Sequence, residues 1–393
     1  MTTSTSRPDT DARLKVGLIG FGNRALLGAI IDAHPDATVA AVFDPDPAAR
    51  AEAAKVHPDA ELFADLAEML GSGVEAVMVL SPDHLHEEAA VAALERGLAV
   101  FCEKPLAITA ASADRILTAA VESGSRLYVG HNMRHLPMVR TMRELINSGA
   151  IGEVESIWCR HFVGNGGDYY FKDWHSDRRN TTGLLLQKGA HDIDVIHWLA
   201  GAPTRRVTAM GKLAVYRDAD PASSPAQRAR EVAEPQLWPP SQHHHLHPVI
   251  DVEDLSMMLM QLDNGVLASY EQCHFTPDYW RNYTVIGNRG RIENVGDMDS
   301  GQVLLWDRRH AGYSEPDRVI EFTAAPGTHG GADQTLVAEF VHYARNGGHT
   351  ETSPLAARDA VAAGEAATTS LRAGGQPVDV PRPDDRITAA FRW

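Results

Sequence analysis

A glycine turn set between a strand and a helix limits the folds open to this chain more than anything else in it. Leu14–Ile19 (LKVGLI) is a short apolar run of the kind that forms a buried parallel strand. It leads directly into Gly20-Phe21-Gly22-Asn23-Arg24-Ala25, a G-x-G-x-x-A sequence, and Arg24–His34 then has helical periodicity. In that context Gly20 allows the tight turn and Gly22 lets a pyrophosphate approach the backbone. Ala25 is small enough for close helix–strand packing. The helix N-terminus offers free amides and partial positive charge to phosphate, with Phe21 and Asn23 on the same turn and Arg24 placed to add a side-chain contact. A second strand, Thr38–Phe43, ends at Asp44-Pro45. An acid there accepts both hydroxyls of an adenosine ribose and repels a 2′-phosphate, so Asp44 favours NAD over NADP. Arg50, further along, reads as solvated.

The same rhythm continues. Asp46–Val56 is helical, Ala76–Leu80 a strand, Leu85–Arg96 a helix, Leu98–Cys102 a strand, Ala110–Ser123 a helix and Arg126–Gly130 a strand. Alternation of this kind means βαβ units and a doubly wound parallel sheet over residues 13–135. Beyond it the pattern changes. Pro137–Ser148 is helical, Val154–Phe162 alternates like a strand, and Ala190–Leu199 is helical. Val207–Lys212, Leu255–Leu262, Val266–His274 and Asn282–Ile286 then follow without helices between them, with Asp263-Asn264-Gly265 as a hairpin turn. Gln334–Arg345 and Pro354–Arg372 read as closing helices. Residues 136–393 therefore read as an α+β domain on an open, mainly antiparallel or mixed sheet.

With 393 residues, the chain exceeds the roughly 250–300 that one hydrophobic core serves. The formal net charge of −16 disfavours nucleic acid and anionic membrane as partners. No run approaches the ~20 apolar residues of a membrane span. Cys102, Cys159 and Cys273 lack metal-type spacing, and their odd number suits a reducing compartment. Met1–Ala12 reads as a disordered leader without a secretory core, which places the protein in the cytoplasm. Asp218–Pro248, with six prolines, reads as a long flexible loop, either a lid or a disordered segment. Its tract His243-His244-His245-Leu246-His247 has no carboxylate or cysteine at ligand spacing, and no metal is expected.

VFCEKPLA around Glu103-Lys104-Pro105, preceded by SPDHLHEEAAVAALERGLA, resembles the signature of the glucose–fructose oxidoreductase / inositol dehydrogenase / rhizopine-catabolism (Gfo/Idh/MocA) family. The resemblance continues through Val129–Arg134, Ile146–Val154, His191-Asp192-Ile193-Asp194, Trp198–Gly201 and Ile286–Glu293, and spans about residues 14–295. It implies a Rossmann domain joined to an open-faced sheet domain that commonly forms dimers or tetramers. It also implies hydride transfer between a nicotinamide and a secondary alcohol of a sugar, polyol or related compound. By position, Ser81, Pro82 and His86 would lie along the cofactor, with Glu103 and Asn132 near the nicotinamide. Lys104 would be the active-site lysine and His191 the catalytic histidine. Those residue types suit alcohol oxidation, because imidazole titrates near neutrality and an ammonium stabilises a developing alkoxide.

Asp194, three residues after His191 and on the same helical face, is placed to orient the imidazole, to couple to its charge or to bind a substrate hydroxyl. There is also a departure. The family's sugar and polyol dehydrogenases usually carry Asp four residues before that histidine, where this chain has Gln187. Glutamine can bind a hydroxyl but cannot take a proton. Lys188 beside it is either a compensating cation or a surface lysine. Asp168–His175, with Tyr169, Tyr170 and Trp174, mixes aromatic rings with polar groups as a sugar-binding wall does, and Asp278–Arg281 does so less fully. His161 and Asn165 are weaker candidates. The leading function is an NAD(H)-dependent oxidoreductase on a sugar, polyol or glycoside. A redox-neutral enzyme that retains NAD, and a non-catalytic dinucleotide sensor, are the alternatives.

Overall fold

A computed structural model describes residues 13–164, 169–218 and 246–391. The leader, Asn165, Asp168 and most of the proline-rich segment, including His243–His245, lie outside the described residues. His247 lies within them, and its Nδ1 faces the carbonyl of Val249 at 2.9 Å.

The first sheet comprises β1 (Leu14–Ile19), β2 (Ala37–Phe43), β3 (Glu61–Phe63), β4 (Ala76–Val79), β5 (Ala99–Cys102) and β6 (Leu127–Val129). All are parallel, in the order β3-β2-β1-β4-β5-β6. The order reverses between β1 and β4, and that switch point opens a crevice beyond the strands' C-terminal ends. The central strands are buried on both faces, and their sequences are accordingly continuous apolar runs. Helix α1 (Leu26–Ala33) begins after a turn in which Ala25 N–H donates to the Gly22 carbonyl at 3.0 Å. β3 and the helix Leu66–Leu70 are too short to show periodicity in the sequence.

Among the described residues the second sheet has nine strands, in the order β14-β13-β12-β11-β7-β10-β9-β8-β15. These are β7 (Val154–Val163), β8 (Thr204–Lys212), β9 (Leu255–Leu262), β10 (Leu267–Cys273), β11 (Tyr279–Gly287), β12 (Arg291–Val295), β13 (Ser300–Trp306), β14 (Arg318–Thr323) and β15 (Val378–Asp379). β7 and β10 pair in parallel while the other described pairs are antiparallel, so the sheet is mixed. One face packs against the helices Pro137–Asn147, Gly189–Ala200 and Pro354–Arg372 through Met258, Met260, Ile193, Ile196 and Ala363. Along β9 the alternate residues point away, leaving Met257 54 % and Leu259 63 % exposed. The strands after Ile286 are not distinguished individually in the sequence, because each is short and carries few apolar residues; the face bearing Ile292, Val303, Leu305 and Phe322 is buried in the core.

After β14 the chain leaves the second sheet for one helix, then returns to it with the helix Pro354–Arg372 and β15. The helix Ala332–Asn346 lays Leu336, Val337 and Phe340 on Val16, Leu18 and Phe101 of the first sheet. Ile387 and Phe391 of the last helix, Asp385–Phe391, join the core on the sheet's other side. Residues 136–393 are thus divided between the two sheets.

Candidate active site

A cleft of about 1080 Å³ runs from the switch point to the helix Gly189–Ala200, lined by both domains. Gly20 sits at φ +92°, and a Cβ there would lie 2.9 Å from the Ser81 backbone. Only glycine fits so close an approach at that φ. Gly22 differs: nothing lies within 4 Å of where its Cβ would be, so its free side faces open space. Phe21 N–H donates to Asp44 Oδ2 at 2.8 Å and Asp46 N–H to Oδ1 at 2.8 Å, which fixes the carboxylate at the cleft's edge. Arg50 donates to the carbonyls of Asp44 (2.7 Å) and Pro45 (3.0 Å), so it braces the turn and is not simply solvated. The buried Ser81 hydroxyl faces the cleft without a partner among the described residues. An open glycine cradle, an anchored acid and an orphaned donor fit an adenine dinucleotide.

Several residues anticipated as cofactor contacts also brace one another. Arg24 donates from Nε to Glu103 at 2.6 Å and from both terminal nitrogens to Asp333 at 3.1 Å. Its guanidinium is thus drawn to carboxylates, away from the phosphate role expected of it. Glu103 also accepts from the Lys104 N–H at 2.9 Å, and Asn132 Nδ2 donates to Asp333 at 3.0 Å. Burial would raise the Asp333 carboxyl, but hydrogen bonds from His329 and Arg24 hold it well below the usual range. His86 is buried, with Nδ1 and Nε2 each 2.9 Å from the carbonyls of Pro105 and Ser81. It clamps those two turns together beneath Pro82.

At the far end Lys104 Nζ donates to the Gln187 carbonyl at 3.4 Å. Burial and Lys188 push its ammonium down to about 8, against the pull of Asp83 and Glu103. Asp83 is a buried acid with no flag in the sequence beyond lying next to Ser81-Pro82. Its Oδ2 has no partner among the described residues, and burial raises the carboxyl to about 8 against Lys104 and the Gln187 amide. Gln187 Oε1 is likewise buried and unpartnered. His191 lines the cleft, and burial, then Lys104 and Lys188, drive its pKa well below 6.5, so the imidazole is neutral. The His131 ring stands edge-on to it at 6.2 Å.

Asp194 does not serve His191. Its two oxygens accept from Arg134 at 2.7 and 2.8 Å, deep in the protein, while His191 turns to the cleft. Residues three apart share a helical side but diverge enough to face different neighbours. The preceding acid, Asp192, anchors a buried network with His161 Nδ1 (2.9 Å), Tyr270 (3.0 Å), Arg281 (2.7 Å) and Tyr283. That network holds the helix against the sheet. Lys188 is not a surface lysine: it lines the cleft, its ammonium 5.5 Å from the Tyr170 ring and 5.9 Å from the Tyr279 ring. Tyr169, Tyr170 and Trp174 line the same wall, Trp174 stacked on His175 at 3.8 Å. In the second aromatic cluster, strand alternation sends Tyr279 to the cleft and Trp280 to the opposite face against Phe162.

The doubly wound sheet and the crevice at its switch point define the class as an NAD-binding oxidoreductase fold, and NAD is the cofactor. The comparisons with known proteins agree. The NAD-binding Rossmann-fold model of the GFO/IDH/MocA oxidoreductase family matches residues 14–131, and the family's C-terminal-domain model matches residues 139–293. The chain belongs to the Gfo/Idh/MocA family. Inositol 2-dehydrogenase 1 of Saccharopolyspora erythraea is 32 % identical over 57 % of this chain and 62 % of its own length. The 2,7-anhydro-N-acetylneuraminate hydratase of Mediterraneibacter gnavus is 33 % identical over 50 % of this chain and 51 % of its own. The chain thus spans less than two thirds of either relative. A levoglucosan dehydrogenase solved with NADH and levoglucosan has the same fold, with a TM-score of 0.77 at 22 % identity over 94 % of this chain and 100 % of that one.

Proposed function

We propose that the protein moves a hydride between NAD and a secondary alcohol or ketone of a sugar, polyol or glycoside. The reading rests on one observation: Lys104, Asp83, Gln187 and His191 line the same cleft as Gly20, Gly22 and Asp44. NAD supplies the hydride chemistry that side chains lack. The neutral His191 imidazole takes the hydroxyl proton, and the Lys104 ammonium stabilises the oxygen as charge develops on it. Asp83 lies beside Gln187, which stands where the family's usual acid would be. Asp83 and Glu103 both draw Lys104 towards its charged form, and Gln187 binds a hydroxyl with its free Oε1. Tyr169, Tyr170 and Trp174 cover the apolar face of the ring.

NADH formation from a panel of sugars and polyols tests the reading. Lys104→Met and His191→Asn should each lower kcat by about 10²–10⁴-fold while leaving NAD binding intact. Turnover indifferent to both substitutions would overturn it. The hydratase name of the Mediterraneibacter relative favours one second reading, in which NAD is retained and turnover is redox-neutral. Substrate consumption by NAD-loaded protein without net absorbance change at the NADH band would select it. The exposed apolar face of the second sheet fits another copy of this chain in a dimer or tetramer. The free, buried thiols Cys102, Cys159 and Cys273 agree with a reducing, cytoplasmic setting.

A further inference from the structure

We infer that the substrate carries a carboxylate, held by Lys188: the site takes a sugar acid in preference to the matching neutral sugar. This deepens the functional reading above and rests on it. Two ammonium groups, Lys104 and Lys188, line the far end of the cleft. The buried guanidiniums around them already have anions: Arg24 has Glu103 and Asp333, Arg281 has Asp192, and Arg134 has Asp194. Lys104 faces Asp83. Among the described residues no carboxylate pairs with Lys188, whose neighbours are the Tyr170 hydroxyl and the rings of Tyr170 and Tyr279.

Aromatic faces steady a cation but do not cancel its charge. The field of Lys188 reaches the centre of the site, where it disfavours protonation of His191 and of Lys104. Holding two like charges side by side in a partly dry cleft is costly unless an anion joins them. A bound anion beside Lys188 removes that cost. Next to it, the buried and unpartnered Gln187 Oε1 is an acceptor, which suits a hydroxyl and repels a carboxylate. The pair therefore specifies a hydroxyl and an acid on one ligand. Among the described residues, one ammonium without an anion, beside guanidiniums that are all engaged, matches a carboxylate monoanion. A phosphate dianion would need more donors or a guanidinium fork.

The test is titration calorimetry on the full chain loaded with NADH. The probes are D-glucuronate and D-galacturonate, D-glucose and D-galactose, and glucose 6-phosphate. At least one uronate should bind about tenfold or more tightly than its neutral hexose, and the difference should shrink with added salt. Lys188→Met should erase the difference, and Lys188→Arg should restore much of it, which separates lost charge from a misfolded site. Equal affinity for acid and neutral sugar, preference for the phosphate, absence of measurable uronate binding, or a preference that survives Lys188→Met would each overturn the inference. NADH formation, followed alongside, keeps the two readings apart. Neutral-sugar oxidation without acid preference sinks only the carboxylate. Lys188-dependent uronate binding without any turnover sinks only the dehydrogenase.

Discussion

Spacing points to Asp194 as the acid of the site, but the fold places Asp83 there instead. Asp194 lies three residues from His191 in sequence, yet its charge is claimed by Arg134. Asp83 comes from the other domain, yet its unpartnered oxygen stands by Lys104 and Gln187. The consequence is a pH profile with a defined sign. Lys104 titrates at about 8, so activity that needs its ammonium falls as pH rises through that value. His191 stays neutral well below 6.5, so no acid limb from it appears at mildly acidic pH. Because Asp83 pulls Lys104 upward, Asp83→Asn should move the alkaline limb of kcat/KM to lower pH. An unmoved limb would show that Asp83 acts only through packing.

The strand–turn–helix element predicts a split between its two glycines. Gly22→Val meets open space, so the melting temperature should hold while the NAD dissociation constant rises roughly tenfold or more, about 1.4 kcal/mol. Gly20→Ala forces a Cβ onto Ser81 at a positive φ and should lower stability as well. If Gly22→Val binds NAD normally, the cradle lies elsewhere. A second element carries a stability switch. His197, near the end of the helix Gly189–Ala200, accepts the Thr204 N–H at 3.1 Å where β8 begins. Burial, partly offset by Asp194, lowers it from 6.5 to about 4. The unfolded chain therefore binds the proton first. The contribution is complete above pH 6.5, declines as pH falls and is gone below about 4. Its size is on the order of 3 kcal/mol. Urea midpoints should drop across that window in the wild type and drop less in His197→Asn.

In the molecule as a whole, the second sheet is covered, among the described residues, on one face only. Met210 pairs across the ladder with Met257, and Leu259 lies one step along; the three are 66 %, 54 % and 63 % exposed. Exposed apolar residues on one face suit the proposed contact with another copy of the chain. Leu259→Glu should reduce the particle mass measured by light scattering toward that of a monomer, with the fold unchanged by circular dichroism. A wild type already monomeric at micromolar concentration would rule the interface out. The return of the helix Ala332–Asn346 to the first sheet matters as much. It brings Asp333 to Arg24, Asn132 and His329, so residues 309 positions apart close the back of the cofactor cleft.

The parallel sheet, the glycine turn and Asp44 were legible along the chain, and the family resemblance singled out Lys104 and His191. The first three depend on local pattern: apolar runs, turn residues and short fixed spacings whose physics acts within a few positions. The partners of the charges came from the folded arrangement alone. There Arg24 belongs to Glu103 and Asp333, Asp194 belongs to Arg134, Asp83 faces Lys104, and Lys188 turns inward without a carboxylate among the described residues. An ion pair is set by distance in space and by exclusion of water. Neither quantity exists along an unfolded chain, and both appear only when two sheets and a returning helix enclose the same cleft.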